Sequence, residues 1–197
     1  GCEFSSSVSI NSNYSIRSFI YYSTFNSNVD LDACELIGNT FNGQVNITPN
    51  QAQLVVPPSI KIYANNFSYL NTQLNINYAY YSNIHIANNF FYYVNNGYNI
   101  SINADLYYKA DKVIIENNIF KDSYQSNYSF NYQVLVNNSD FLFIRNNYFD
   151  VWANSGYYGY TRGVTTSYIG IYDFQYNFTN TSDNYFQEGS GTIQTIA

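Results

Sequence analysis

The chain keeps returning to one short phrase: β-branched or aromatic residues, a small or charged residue, Asn-Asn, then an aromatic. It reads Ile60-Lys61-Ile62-Tyr63-Ala64-Asn65-Asn66-Phe67 and then Ile84-His85-Ile86-Ala87-Asn88-Asn89-Phe90-Phe91. It returns as Val113-Ile114-Ile115-Glu116-Asn117-Asn118-Ile119-Phe120 and as Phe141-Leu142-Phe143-Ile144-Arg145-Asn146-Asn147-Tyr148-Phe149. Weaker copies stand at Leu36-Ile37-Gly38-Asn39-Thr40-Phe41 and Ser182-Asp183-Asn184-Tyr185-Phe186. The copies are spaced by roughly 23 to 37 residues, the range of repeat architectures.

Each copy starts as a strand, because the apolar run is short, alternating and rich in β-branched residues. Asn-Asn then breaks it. Asn tolerates left-handed backbone angles and bonds its own backbone, which suits a tight corner. A second strand follows at a similar offset, as at Val45-Asn46-Ile47, Leu74-Asn75-Ile76-Asn77-Tyr78, Asn99-Ile100-Ser101-Ile102, Tyr128-Ser129-Phe130-Asn131-Tyr132 and Tyr168-Ile169-Gly170-Ile171-Tyr172. A strand, a corner and a strand per repeat describe one coil of an all-β parallel solenoid. A single coil cannot bury its apolar face, but stacked coils share one continuous core. Stacking at about 4.8 Å would align corner Asn residues into a ladder and Ile or Phe residues into apolar columns. The alternative is an antiparallel β-sandwich with Asn-rich turns.

The strand-Asn-Asn-x-aromatic phrase resembles the repeat of right-handed parallel β-helix proteins, the pectate-lyase-like superfamily. The resemblance spans roughly residues 30 to 186 of a repeat array. It implies the fold and leaves the activity open, since the superfamily includes polysaccharide lyases and hydrolases, viral tailspikes and bacterial surface adhesins.

Outside that array the pattern changes. Residues 1–28 are Ser- and Asn-rich and read as an irregular first coil, an N-terminal cap or an arm, with a β run from Ile16 to Phe25. Residues 29–188 form the solenoid, with Pro49 and Pro57-Pro58 bounding a short strand, Gln53 to Val56. The Gly- and Tyr-rich stretch 151–166 departs from the repeat and reads as an inserted loop. Its aromatic residues Trp152, Tyr157, Tyr158 and Tyr160 are candidates for contact with a partner or glycan. Residues 189–197 read as a strand-forming tail in which Ile193 and Ile196 could pair with a neighbour, since no charge or Pro opposes pairing there.

Charge bounds the partners. Charged residues make up 10% of the chain, the formal net charge is -6 and the pI is near 4.4. Nucleic-acid binding would require a basic stripe, so none is expected. No apolar run is long enough to span a membrane as a helix. Codon drift toward Asn and Tyr should enrich Lys equally, yet Lys and Arg together total 7. A surface of uncharged Asn, Ser, Thr and Tyr suits acidic surroundings, and in this the chain resembles extracellular proteins of thermoacidophilic archaea. Against great heat stand the deamidation-prone pairs Asn42-Gly43 and Asn96-Gly97.

Several features fit secretion. The chain has no Met and begins at Gly1, so removal of a leader is expected. The two cysteines, Cys2 and Cys34, form an even count that fits a disulfide. Glycosylation sequons begin at Asn13, Asn46, Asn66, Asn99, Asn127, Asn137, Asn177 and Asn180. Asn66 also lies in the corner phrase, so it is either a ladder residue or a glycan acceptor.

Catalysis has little support. The carboxylates are scattered rather than paired. Glu116 and Arg145 occupy equivalent slots and read as a surface ion pair between neighbouring coils. Asp30 and Asp32 share a strand face, but two carboxylates do not make a Ca²⁺ site. His85 alternates with Ile84 and Ile86, so it should point outward, without the partners of a metal site or triad. No cofactor or metal is expected. The remaining candidates are Tyr78, Tyr80, Tyr81, Tyr92, Tyr93, Tyr107 and Tyr108, which recur around the coils. The expectation is a secreted, glycosylated, non-enzymatic protein that assembles with copies of itself into an extracellular filament or appendage. A tailspike or adhesin holding a glycan or receptor stands second, and a polysaccharide lyase or hydrolase third.

Overall fold

The computed structural model describes residues 1–10, 18–49, 57–94, 98–105, 107–123, 134–151, 169–171, 178–180 and 185–187. The first coils run through β1 (Glu3–Phe4), β2 (Val8–Ile10), β3 (Ser18–Tyr21), β4 (Thr24–Phe25), β5 (Val29–Leu31) and β6 (Cys34–Ile37). The middle holds β7 (Thr40–Phe41), β8 (Val45–Ile47), β9 (Ser59–Tyr63), β10 (Asn66–Ser68), β11 (Leu74–Ile76), β12 (Asn83–Ala87), β13 (Phe90–Tyr92), β14 (Ile100–Asn103) and β15 (Ala110–Glu116). Then come β16 (Ile119–Ser123), β17 (Val134–Asn137), β18 (Ser139–Arg145), β19 (Tyr148–Val151), β20 (Ile169–Ile171), β21 (Phe178–Asn180) and β22 (Tyr185–Gln187).

Every third strand joins the same sheet. Sheet A orders β1-β4-β7-β10-β13-β16-β19-β22, sheet B orders β2-β5-β8-β11-β14-β17-β20, and sheet C orders β3-β6-β9-β12-β15-β18-β21. Every pairing is parallel. The fold is therefore an all-β parallel β-helix, and the antiparallel sandwich is ruled out. Each coil holds three strands rather than the two read from the sequence. The extra one is the short sheet A strand carrying the aromatic.

The alternation explains the core. In β9, Ile60 and Ile62 are fully buried while Ser59, Lys61 and Tyr63 face outward. Stacking repeats this choice coil after coil, so Leu36, Ile62, Ile86, Ile115 and Ile144 share one column. In sheet A, Phe4, Phe25, Phe41, Phe67, Phe91, Phe120 and Phe149 stack with ring centroids between 4.5 and 5.1 Å apart. Full burial of each ring is worth about 1.5–3 kcal/mol, and each favourable ring pair adds about 0.5–1.5 kcal/mol.

The corner from sheet C to sheet A is the tightest of the three. Its first residue has positive φ: Tyr22 (51°), Gly38 (68°), Ala64 (55°), Asn88 (58°), Asn117 (56°) and Asn146 (53°). Its second is buried: Ser23, Asn39, Asn65, Asn89, Asn118 and Asn147. Each of those Asn side chains does three jobs. Asn89 Oδ1 accepts from the Asn65 backbone N–H at 2.9 Å and from Asn65 Nδ2 at 3.1 Å. Asn89 Nδ2 donates to the Ile62 carbonyl at 2.8 Å, the Ala87 carbonyl at 3.0 Å and Asn118 Oδ1 at 3.0 Å. The ladder thus satisfies backbone groups that a sharp corner would otherwise bury unpaired. Ladder partners are separated by 16, 26, 24, 29 and 29 residues. All of that variation lies in the other two corners, because this one allows none.

Two places in the N-terminal half had more than one reading. Residues 1–28 contribute β1, β2 and β3, one end strand to each sheet, together with β4. Asn66 is not the ladder residue of its coil. The phrase there is displaced by one, so Ala64 takes the positive-φ place, Asn65 takes the ladder place, and Asn66 is exposed at the start of β10. The strand expected at Gln53 to Val56, the strand at Tyr128 to Tyr132, the loop after Val151 and the tail 189–197 lie outside the described residues.

Candidate functional site

Sheet C presents a polar row to its outer face. In register, Glu35, Lys61 and His85 lie side by side, and two residues further along Tyr63 precedes Ala87, Glu116 and Arg145. Stacking links them into a chain of contacts. Tyr21 Oη donates to Glu35 Oε1 at 3.1 Å, and Lys61 Nζ lies 3.7 Å from Glu35 Oε2. Tyr63 Oη and His85 Nδ1 are 2.9 Å apart, and His85 Nε2 meets Glu116 Oε1 at 2.9 Å. Arg145 Nε donates to the other Glu116 oxygen at 2.8 Å.

Partial burial would push the Glu116 carboxyl up, but its hydrogen bonds to Arg145 and His85 and their charges outweigh this. Glu116 therefore ionises below the ordinary carboxylate range. Burial raises the Tyr63 phenol above its ordinary value, and the nearby Glu35 and Glu116 charges add to this. The Glu116–Arg145 pair stands where the sequence placed it, and His85 faces outward as expected. The roles of Tyr63, Lys61 and Glu35 were not anticipated; the signal is that Glu35, Lys61 and His85 each stand six residues before the buried Phe of their coil, and Tyr63, Glu116 and Arg145 each stand four before it. Both Glu116 oxygens and both His85 nitrogens are engaged within the row, which fastens adjacent coils to one another.

A second constellation occupies the corner between sheets B and C. Tyr78 meets Tyr80 edge-on at 5.9 Å, and Tyr108 packs on Tyr80 at 5.7 Å and on Tyr81 at 6.1 Å. Tyr107 is 87% exposed and Tyr78 59% exposed. Tyr78 and Tyr81 also have φ of 54° and 53°. A bulky residue in that region carries about 1 kcal/mol or more of strain that Asn or Gly would avoid. Tyr92 and Tyr93 are exposed at the other loose corner, between sheets A and B, and pack together at 6.1 Å.

The cysteine reading needs correction. Cys2 and Cys34 are both free thiols. Cys34 is an inward residue of β6, fully enclosed in the core beside Leu36, whereas Cys2 is exposed beside sheet A. Burial, with the Asp32 charge adding, pushes the Cys34 thiol far above its ordinary value. The even count suggested a bond that their opposite environments do not form.

The sequons also separate. Asn99 is fully buried and its Nδ2 donates to Gln73 Oε1 at 2.8 Å, so a glycan cannot be accommodated there. Asn46 Nδ2 donates to Asp30 Oδ1 at 2.9 Å, and Asn137 Nδ2 donates to Asn103 Oδ1 at 2.8 Å. Asn180 lies in β21. Asn13, Asn127 and Asn177, like Trp152, Tyr157, Tyr158, Tyr160, Ile193 and Ile196, lie outside the described residues. Among the described residues no group of three or more His, Cys, Asp or Glu is placed to hold a metal ion, and no helix is long and apolar enough to cross a membrane.

No protein-family model, curated protein or solved structure matches this chain.

Proposed function

We propose that the protein is a secreted, non-enzymatic structural protein that stacks end to end with copies of itself into an extracellular filament. The observation that carries this reading is the in-register continuation of the Phe column of sheet A and of the apolar rows of sheet B up to the end strands. The Phe column reaches Phe4 in β1, and among the described residues β1 is paired with β4 and β2, with Val8 and Ile10, is paired with β5. Phe4, Val8 and Ile10 rest on the core but stay partly exposed. A parallel strand from another copy would extend the Phe column by one more step of about 4.8 Å and add backbone hydrogen bonds along β1. Such a contact joins unlike surfaces, so repetition makes a fibre rather than a closed dimer. The outer-face row of sheet C supports a structural role, because its polar groups are spent on one another.

Electron microscopy of the purified protein tests this. Fibres are expected, with a diffraction repeat near 4.8 Å along the axis. Phe4→Asp with Val8→Asp should leave folded monomers. A parent protein that stays monomeric at every concentration would overturn the reading.

A second reading, a surface adhesin or tailspike-like protein that holds a glycan, is favoured by the Tyr78–Tyr80–Tyr81–Tyr108 corner. Exposed phenol rings stack on sugar faces at low entropic cost. Discrete trimers in the microscope would support it over the filament.

A further inference from the structure

Sheet A has an outer face as well as the buried Phe column. On it, Asn66 and Ser68 of β10 flank the inward Phe67, so both residues of the Asn66-Phe67-Ser68 sequon point the same way. Asn66 is exposed; its backbone N–H donates to the Asn39 carbonyl at 2.8 Å, while no hydrogen bond ties its side-chain amide to another described residue. In the neighbouring coil Phe90 lies opposite Asn66 and Tyr92 opposite Ser68. The Phe90 and Tyr92 rings are parallel to within 10° with centroids 6.2 Å apart. One strand further, Ile119 follows Phe90 and is 42% exposed. The acceptor pair thus borders an apolar strip of two stacked rings and Ile119, beginning about one strand spacing, roughly 4.8 Å, away.

We propose that Asn66 carries an N-linked glycan whose first sugar lies with its C–H face against Phe90 and Tyr92. The linkage joins Nδ2 to C1 of a sugar supplied by a polyprenyl-diphosphate-linked donor; the C1–O bond to the diphosphate breaks, the diphosphate leaves and one amide proton is released. It needs a free amide hydrogen and open space beyond Nδ2. Asn66 offers both. Asn99 offers neither, while the amides of Asn46 and Asn137 are held by the carboxylate or amide of an adjacent coil. The sugar would cover apolar surface that sheet A otherwise leaves to water, which is a second reason for a glycan at this position.

The inference rests on the secreted reading, but its test does not depend on filament formation, which is read on unglycosylated protein from bacteria. The full chain is secreted from yeast behind a leader, and glycans are removed enzymatically in heavy-oxygen water, which labels each former acceptor. Peptide mapping should show the label at Asn66 and none at Asn99. An unlabelled Asn66 overturns the proposal, whatever the other sequons show. For the stacking, the glycosylated form should melt a few degrees above the deglycosylated form. That gain should vanish in Phe90→Ala with Tyr92→Ala, although Asn66 stays occupied, and also in Ser68→Ala, which loses the sequon. A gain that persists without the two rings overturns the stacking.

Discussion

Asn88 and Asn89 are adjacent and chemically identical, yet the fold gives them opposite roles, so one methodical substitution separates them. Asn88 is exposed and serves the corner through its backbone, at φ of 58°. Asn89 is 2% exposed and makes contacts between 2.8 and 3.1 Å on both sides. Asn89→Asp changes almost no volume. It replaces a donor facing the Ile62 carbonyl, the Ala87 carbonyl and Asn118 Oδ1 with an anion facing three acceptors. An uncompensated buried charge costs about 3–5 kcal/mol. With a urea slope of about 2 kcal/mol/M for a chain of this size, the midpoint should fall by about 1.5–2.5 M at pH 7. Asn88→Asp, in water, should change stability by about 0.5 kcal/mol or less.

The pH dependence of the Asn89→Asp variant has a definite sign. Burial and the three acceptors favour the neutral acid, so its pKa in the fold is raised. The folded state then binds a proton that the unfolded chain releases near the ordinary value of about 3.9. The stability of the variant is greatest below that value and is lost as pH rises through the folded pKa. Urea unfolding followed by circular dichroism at low and neutral pH measures this. Equal midpoints for the two variants, or a defect in Asn89→Asp that does not shrink on acidification, would refute the ladder assignment.

Three further outcomes follow from the same geometry. Phe91→Ala opens a gap between rings centred 4.7 and 5.0 Å away and should destabilise by about 3–5 kcal/mol; Phe90→Ala, half-buried on the outer face, should cost about 1 kcal/mol in the same melts. Alkylation without reductant should label Cys2 in the native protein and Cys34 only in urea, and failure to label either thiol in urea would restore the disulfide. Glu116→Gln should cost about 1 kcal/mol or less at pH 7. Because Glu116 ionises at lowered pH in the fold, its stabilisation is present above the ordinary carboxylate pKa and lost as pH falls through the folded value; paired melts should therefore converge in acid.

The repeat made the parallel architecture legible because stacking makes the same demand of every coil. An inward slot is filled by an aliphatic residue or Phe in nearly every coil, and the buried corner place by Asn in five of its six described copies, so the constraint is written into the one-dimensional order. The Glu116–Arg145 contact was legible for the same reason, since equal slots become neighbours. Reading the Asn pair as the anchor left the role of Asn66 open, whereas the spacing from ladder Asn to buried Phe is constant at Asn39–Phe41, Asn65–Phe67, Asn89–Phe91, Asn118–Phe120 and Asn147–Phe149. The third strand of each coil was missed because two residues such as Thr40–Phe41 are too few to show alternation.

What only the tertiary structure decided is what depends on which way a residue faces once the coils close. A count of two cysteines cannot tell a core thiol from an exposed one, and a sequon cannot tell the enclosed Asn99 from the open Asn66. Nor does local pattern show that Tyr63, His85, Glu116 and Arg145, which span 83 positions from first to last, meet on one face. Local order fixes which residues alternate within a strand; the lengths of the two loose corners fix which strand lies beside it, and those lengths follow no repeating rule.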